Sequence, residues 1–350
     1  MHHDHPSRRS FVLGALGVAG AAVTAGTLFP RHQAIAQATG PRRIDVHHHL
    51  TPPAYVQELE PNKLLLPPTL NWTPQKDIEL MDAGGVAVSI TSITTPGVWF
   101  GSHAASRRLS RACNEYAAKL VVDHPKRFGM YVNVPLPDVE GTLKEIEYGM
   151  DTLKADGVAV FTSYGDKWLG DPAFEPIYAE LHRRKAVLYT HPTSNACCVN
   201  LLKTSSFNDS LIEYGTDTTR AITKMMVSGM ARKYPDMKVI WSHGGGTMPF
   251  LLSRYMGLGR NPANKENFPD GFLPEARRFW YDTANVYNKA SLSALREVIP
   301  VSNILFGTDV PFGTPKGTAD GVIGAGVFTP EELAMIDRGN AEKLFPQYKM

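Results

Sequence analysis

The sequence contains little cysteine, no long run of like charge and no large excess of either charge. Its 350 residues include three cysteines, too few for the disulfide framework of a small secreted protein. The 36 basic and 34 acidic residues leave a formal net charge of +2, so we expect no nucleic-acid partner. With 43% hydrophobic and 20% charged residues, the composition excludes a disordered chain and indicates a globular protein.

The three thiols cannot all be paired with one another. Cys113 stands alone, and Cys197 and Cys198 are adjacent in the sequence. A vicinal disulfide between neighbours is strained, so two buried free thiols are favoured at these positions.

The first 36 residues differ in kind from the rest. Ser7 to Leu13 reads SRRSFVL, a twin-arginine pattern, and a weakly apolar run rich in glycine and alanine follows. This run is short for a membrane span of roughly 20 residues, and AIAQ fits cleavage after Ala36. We therefore predict a twin-arginine signal peptide over residues 1–36, export to the periplasm, no membrane span after cleavage, and one folded domain over residues 37–350.

Short β-branched runs alternate with helical segments in the rest of the chain. Eight runs predict strands, over residues 43–48, 86–92, 128–135, 157–163, 186–192, 238–243, 279–284 and 303–309. Alternation of strands and helices indicates a parallel sheet, and no G-x-G-x-x-G pattern follows the first strand. We predict an α/β fold, a (β/α)8 TIM barrel with long loops after strand 1 and after strand 6.

Helical periodicity is clearest in four segments, which we predict as helices over residues 103–124, 138–155, 173–185 and 217–234. The two long loops, near residues 50–75 and 256–277, contain several prolines. Long loops at the mouth of a barrel usually shape a pocket or an interface.

The stretch IDVHHHL places three consecutive histidines at the end of the first predicted strand. Side chains alternate between the two faces of a strand, so His47 and His49 point one way and His48 the other. His47 and His49 can therefore share one ligand. We expect His48 to face the helix layer and to have a structural role.

Three further strands end in side chains that bind metals, namely His191, His243 and Asp309. A lone histidine is more often a hydrogen-bonded core residue than a ligand, but the carboxyl ends of all barrel strands meet at one rim. Three histidines and one carboxylate suit a divalent cation, zinc above all with manganese as an alternative, and leave one position open. Strand 4 has no lysine at its tip to bridge two metals, which favours one ion.

The segments IDVHHH, YTHP, WSHGGGTMPF and LFGTDVPF, in this order and spacing, resemble the amidohydrolase superfamily. More narrowly, the chain is similar to its non-oxidative decarboxylase branch, typified by the aminocarboxymuconate semialdehyde, 6-methylsalicylate and resorcylate decarboxylases. The resemblance covers essentially the whole mature chain. It implies that His47, His49, His191 and Asp309 bind the metal ion and that His243 is the catalytic histidine.

The resemblance also implies contacts with the substrate. Arg254, in FLLSR, matches an arginine that in relatives reaches a neighbouring subunit's site and holds a substrate carboxylate, which implies a homodimer. Arg220, in DTTR, is closer to the methylsalicylate-type members, although a surface salt bridge explains it equally well. The loop before WTP lacks the second substrate arginine of the aminocarboxymuconate enzymes, which argues against a dicarboxylate-type substrate.

Aromatic residues near the strand ends are candidates for the wall of a flat pocket. Phe312, three residues past Asp309, is placed at the mouth. For the other candidates, packing in the core is favoured over a place in the pocket wall, because large aromatic side chains are mostly buried for packing alone. These candidates are Trp72, Trp99, Tyr164 and Trp168.

The expected function is that of a carboxy-lyase, a metal-dependent decarboxylase of a small hydroxybenzoate-type acid. An ortho-hydroxybenzoate can bind a metal through its phenolic and carboxylate oxygens, which fixes the ring. The ring carbon must also be protonated, and Asp309 or His243 is the candidate acid.

Three alternatives remain at this stage. A metal-dependent hydrolase of a lactone, ester or amide would use the same ligands, and a hydratase of the same branch is a weaker option. An exported metal-binding protein without activity is the third, and the extra histidine beside a complete ligand set argues against it.

Overall fold

Eight parallel strands surround a common axis in the computed structural model, which describes residues 42–194 and 208–350. The strands are β1 Arg43–His49, β2 Val86–Ser92, β3 Phe128–Asn133, β4 Gly157–Phe161, β5 Val187–His191, β6 Lys238–Trp241, β7 Trp280–Asp282 and β8 Ile304–Leu305. Each pairs in parallel with the next. Backbone hydrogen bonds close the ring, since Asp309 N donates to His47 O at 2.8 Å and Val46 N to Phe306 O at 3.0 Å. The predicted (β/α)8 barrel is confirmed.

Helices follow the strands and cover the outside of the barrel. They are α1 Pro53–Leu59, α2 Pro74–Ala83, α3 His103–Asp123, α4 Val139–Asp151, α5 Glu175–Arg184, α6 Glu213–Val227, α7 Met230–Lys233, α8 Leu252–Tyr255, α9 Phe272–Ala276, α10 Lys289–Val298, α11 Pro315–Gly324, α12 Pro330–Ala334 and α13 Ala341–Leu344. Side-chain caps fix several N-termini: Ser102 accepts from Ala105 N, and Asp138 accepts from Gly141 N. None of the helices in the described ranges is long and apolar enough to cross a membrane.

Helix α6 begins at Glu213, four residues before the predicted start at Asp217, so that boundary was wrong. The Asp217 carboxylate does not cap the helix but accepts hydrogen bonds from Thr162, from Ser163 Oγ at 3.0 Å and from Trp168 Nε1 at 2.7 Å. The predicted segment also breaks near Gly229, which has a left-handed φ of 77° and separates α6 from α7.

The register of β1 explains how apolar residues and histidines can both face the barrel interior. Pairing between β1 and β2 shifts between Asp45 and His48. Ile44, before the shift, and Val46, within it, belong to the apolar cluster that fills the barrel. After it, His47 and His49 face the site.

The long connection after β1 is not structureless, because it contains α1 and two short 3-10 turns, Glu60–Asn62 and Pro67–Thr69. The connection after β6 contains similar turns and α9. The predicted signal peptide and the pair Cys197 and Cys198 lie outside the described residues. Cys113 is buried and unpaired.

Candidate metal centre and active site

The side chains of His47, His49, His191 and Asp309 converge at the carboxyl rim of the barrel. One nitrogen or oxygen atom of each lies within 4.8 Å of the others, and all four residues are buried. Asp309 Oδ1 lies 3.0 Å from His49 Nε2, 3.1 Å from His47 Nε2 and 3.9 Å from His191 Nε2. Ligand atoms that each sit ~2 Å from one cation are about 3.3 Å apart, so this spacing fits a single ion.

The outer hydrogen bonds of the imidazoles leave their Nε2 atoms for such an ion. His47 Nδ1 lies 2.8 Å from Asp282 Oδ2, and His191 Nδ1 lies 2.7 Å from the carbonyl oxygen of Pro192. Both contacts require the proton on Nδ1. The Nε2 atoms of His47 and His191 are buried without a hydrogen-bond partner, a costly state that a bound cation would relieve.

The electrostatics of the centre favour a carboxylate surrounded by imidazoles. Burial opposes the charge on Asp309, but His47 and His191 hold its pKa well below the usual range. Burial also lowers the pKa of His191 to about 4, so this ring is neutral. For His47 burial acts in the same direction, but Asp282 and Asp309 outweigh it and raise the pKa to about 10. A cation would take the place of that proton.

His243 lies beside the four ligands. Its ring centroid is 4.8 Å from that of His47 and 5.6 Å from that of His191. Its Nδ1 donates to the carbonyl oxygen of Ala284 at 3.0 Å, which leaves Nε2 available for a substrate. Burial lowers the pKa of His243 to about 4. The left-handed backbone, with φ of 52°, is held by a hydrogen bond from His243 N to Asp282 Oδ1 at 2.9 Å.

Two site residues, one at the end of β7 and one just after it, were not predicted. Asp282 contacts His47 and the backbone of His243, as described above, and is fully buried. Asn285 donates from Nδ2 to Asp309 Oδ2 at 2.7 Å and has a left-handed φ of 57°. The signal in the sequence was YDTAN, a carboxylate and an amide at the rim end of the seventh predicted strand.

His48 points away from this centre, as predicted. Its Nδ1 lies 3.0 Å from Asp45 Oδ2 and its Nε2 lies 3.0 Å from Asp77 Oδ2. Trp72 Nε1 also donates to Asp77, at 2.7 Å, which ties the loop after β1 to the barrel. Both ring nitrogens of His48 are thus occupied, and its role is structural.

A cleft of about 880 Å³ opens over the centre, and His191, His243 and Asp309 form part of its wall. Phe312 also lines the cleft, as predicted from the sequence, and its ring centroid is 6.1 Å from that of His49. Leu66 from the loop after β1 adds to the wall, so this loop shapes the pocket as expected. The described residues that line the cleft include no lysine or arginine.

The other aromatic candidates divide between two environments. Trp99 and Tyr164 line a smaller pocket of about 250 Å³, whose wall also includes His191. Trp72 and Trp168 are not among the residues lining either of these two pockets.

Neither of the two predicted substrate arginines is among the described residues of the same chain that line the cleft. Arg220 Nη1 lies 3.9 Å from Glu213 Oε2, and its guanidinium carbon is 5.8 Å from the centre of the Trp168 ring. This arrangement matches the salt-bridge alternative. Arg254 lies exposed on α8. A role for either residue in substrate binding stays a prediction.

The comparisons with known proteins agree with this geometry. The family model described as amidohydrolase matches residues 44–347. The decarboxylase yanB of Aspergillus niger is 36% identical over 329 residues, which cover 88% of each chain. The 6-methylsalicylic acid decarboxylase of Penicillium expansum is 36% identical over 323 residues, covering 88% of this chain and 97% of the relative.

Solved structures show the same fold. A dihydroxybenzoic acid decarboxylase from Polaromonas sp. JS666, with bound manganese and 2-nitroresorcinol, superimposes with a TM-score of 0.77. It is 20% identical, and the match covers 88% of this chain and 98% of that one. The matched family model, the relatives and the convergent ligand set together show that the chain belongs to the amidohydrolase family, in its decarboxylase branch.

Proposed function

We propose that the protein is a metal-dependent, non-oxidative decarboxylase of a small aromatic acid of the hydroxybenzoate type, such as 6-methylsalicylate. The observation that carries the proposal is the 36% identity to a 6-methylsalicylic acid decarboxylase across 88% of this chain. The buried site of three histidines and one aspartate below an open cleft supports it.

The cleft suits a flat, monocyclic acid. Its volume lies within the usual range of about 300–1,000 Å³ for small-molecule sites, and Phe312, Val286 and Leu66 provide apolar surface for a ring. Asn285, Thr247 and Ser291 add polar groups that can orient ring hydroxyls. A cation held by the four ligands would supply the fixed positive charge that the described lining lacks.

We assign the proton transfer to His243. Asp309 Oδ1 faces the ligand histidines and its Oδ2 accepts a hydrogen bond from Asn285, so neither oxygen is free to carry a proton to the substrate. His243 is held through Nδ1 by Ala284 and presents Nε2. In the neutral ring Nε2 carries the lone pair, so it first takes up a proton, from a hydroxyl or carboxyl group of the substrate or from water. It then passes that proton to the ring carbon as the bond to the carboxylate breaks.

The expected metal is one zinc ion, because three histidines and a carboxylate are donors that zinc prefers. Manganese, which is bound in the related dihydroxybenzoic acid decarboxylase, is the alternative. Elemental analysis of protein purified without added metal distinguishes the two, and activity of the stripped protein reloaded with each metal shows which one supports turnover.

We further propose a homodimer in which Arg254 reaches the cleft of the second copy. Arg254 is exposed, and the described lining of the cleft lacks a cation to meet a substrate carboxylate. Large apolar side chains are exposed nearby in sequence, with Phe250 at 86% and Met256 at 45% exposure.

The dimer is tested by light scattering and by mixing two inactive variants, Arg254→Ala and His243→Gln. If Arg254 acts across the interface, mixed dimers contain one intact site and activity returns. A monomer of full activity would contradict the proposal.

Export rests on the SRRSFVL pattern and the following apolar run. We propose that residues 1–36 direct the folded protein to the periplasm and are then removed. Replacement of Arg8 and Arg9 by lysine should retain the protein in the cytoplasm at its uncleaved mass. Unchanged distribution between the two fractions would contradict this proposal.

The activity is tested by incubating the metal-loaded protein with 6-methylsalicylate and dihydroxybenzoates and analysing the products. Release of carbon dioxide and the matching phenol, with no net consumption of water, is the expected result. Hydrolysis of a lactone, ester or amide without any decarboxylation would assign the protein to the hydrolases.

A further inference from the structure

Asp282 is the common anchor of two groups that come from different strands. Its Oδ2 lies 2.8 Å from Nδ1 of His47, which lies in β1. Its Oδ1 accepts hydrogen bonds from the backbone N–H groups of His243 at 2.9 Å and of Ala284 at 3.0 Å. The carboxylate is fully buried, so these donors satisfy it without water.

We propose that Asp282 is a positioning residue that selects the tautomer of His47. A neutral imidazole carries one proton, and the nitrogen that lacks it is the one that can bind a metal. An ionised carboxylate can only accept a hydrogen bond, so its contact with Nδ1 of His47 requires a proton on that nitrogen. The lone pair is then on Nε2, which faces the other ligands.

Close packing keeps the pair in this arrangement. Gly307 lies against it, and a Cβ atom at that position would come within 2.9 Å of Cβ of both Asp282 and His47. Only glycine therefore lets the two side chains approach here. Because Oδ1 is held by two backbone donors, the carboxylate also cannot rotate away from the ring.

The substitution Asp282→Asn separates tautomer selection from the anchoring of the backbone. The amide oxygen of asparagine can still accept from His243 N and Ala284 N, which leaves its NH2 group toward His47 Nδ1. Two donors cannot share that contact, so His47 is driven to the tautomer with the proton on Nε2. That tautomer has no lone pair for the metal at the centre.

The control is Asp156→Asn at the opposite end of the barrel. Asp156 Oδ2 also accepts from a backbone N–H group, that of Met130 at 2.8 Å, and from Tyr348 Oη at 2.9 Å. The chemical change is the same, but no metal ligand is in contact with it. The inference depends on the metal centre and not on the substrate, so its outcome is independent of the decarboxylase assay.

The experiment measures zinc affinity by competition with a chromogenic chelator, with circular dichroism as the check on folding. We expect Asp282→Asn to bind zinc about 10–100-fold more weakly than the wild type, and Asp156→Asn to bind it with unchanged affinity. Zinc affinity of Asp282→Asn within about threefold of the wild type would overturn the proposal, since loss of a carboxylate that orients a ligand histidine weakens metal binding by more than that. An equal loss of zinc affinity in Asp282→Asn and Asp156→Asn would also overturn the proposal.

If Asp282→Asn does not fold, nitrogen NMR of the wild-type protein with labelled histidine decides. The His47 signals are identified by their loss in His47→Gln. In the zinc-loaded protein the proposal expects a protonated Nδ1 and a metal-bound Nε2 for His47. A metal-bound Nδ1 would overturn it.

Discussion

The carboxyl ends of the barrel strands bury the imidazoles and carboxylates of the metal centre. Toward the amino ends, apolar side chains fill the barrel beside a buried ion pair between Arg43 and Asp337. At the carboxyl end His243, Asn285 and Asp309 all have left-handed backbone, with φ of 52°, 57° and 62°. At the amino end the C-terminal residues Leu344 and Phe345 pack into the cluster that fills the barrel.

The two ends therefore serve different purposes. Left-handed conformations at residues other than glycine cost of order 1–3 kcal/mol each and cluster at functional sites. Buried carboxylates and unpartnered imidazole nitrogens add to that cost unless a ligand satisfies them. At the amino end the left-handed residues Lys126, Lys154 and Lys185 are exposed loop residues. This end contributes stability by burying apolar surface. Substitutions at the carboxyl end should therefore change metal content and catalysis, and substitutions at the amino end should change the free energy of unfolding.

The largest expected effect is that of Asp309→Ala at the carboxyl end. It removes the one carboxylate among the ligands, so we expect kcat/KM to fall by at least about 10⁴-fold and bound metal to fall with it. Decarboxylation kinetics and elemental analysis measure the two effects. A variant that keeps both its metal and its activity would show that Asp309 is not a ligand.

The next effect is that of His243→Gln. Loss of the proton-transfer group should lower kcat by about 10²–10⁴-fold. Metal content should stay near that of the wild type because His243 is not one of the four ligands. Steady-state kinetics on protein of known metal content test this. Full activity in this variant would show that a residue other than His243 transfers the proton.

Phe345→Ala tests the amino end. The side chain is fully buried, so its removal should lower the free energy of unfolding by about 3–5 kcal/mol. Urea unfolding measures the loss. Metal content and kcat of the folded protein should not change, and a fall in metal affinity would break the separation between the two ends.

Phe312→Ala should have the smallest effect. The side chain is 37% exposed at the wall of the cleft, so little stability depends on it. Loss of ring contact should raise KM for an aromatic acid by about fivefold, on the order of 1 kcal/mol, with kcat and the unfolding free energy nearly unchanged. An unchanged KM would place the substrate elsewhere in the cleft.

The sequence predicted the barrel and the ligand set because both follow from local patterns. Strand runs are short and periodic, and the carboxyl ends of parallel strands must share one rim, which brings His47, His191 and Asp309 together. The start of α6 was wrong because Asp217 resembles a helix cap but is engaged by the segment after β4. That contact is tertiary and leaves no local pattern.

Asp282 and Asn285 were missed for a similar reason. A carboxylate at a strand end is common, and its importance here depends on Nδ1 of His47, which lies 235 residues away in sequence. The positions of Arg220 and Arg254 depend on loops and, for Arg254, on a second copy of the chain. Sequence periodicity does not determine either.

The most direct test of the single-metal centre is a titration of metal-free protein with zinc or manganese. Bound metal and decarboxylase activity are both measured at each step of the titration. If the four ligands hold one ion, activity is absent after stripping, rises in proportion to bound metal and saturates at one equivalent per chain. Activity that survives complete removal of the metal, or that saturates only at two equivalents, would contradict this prediction.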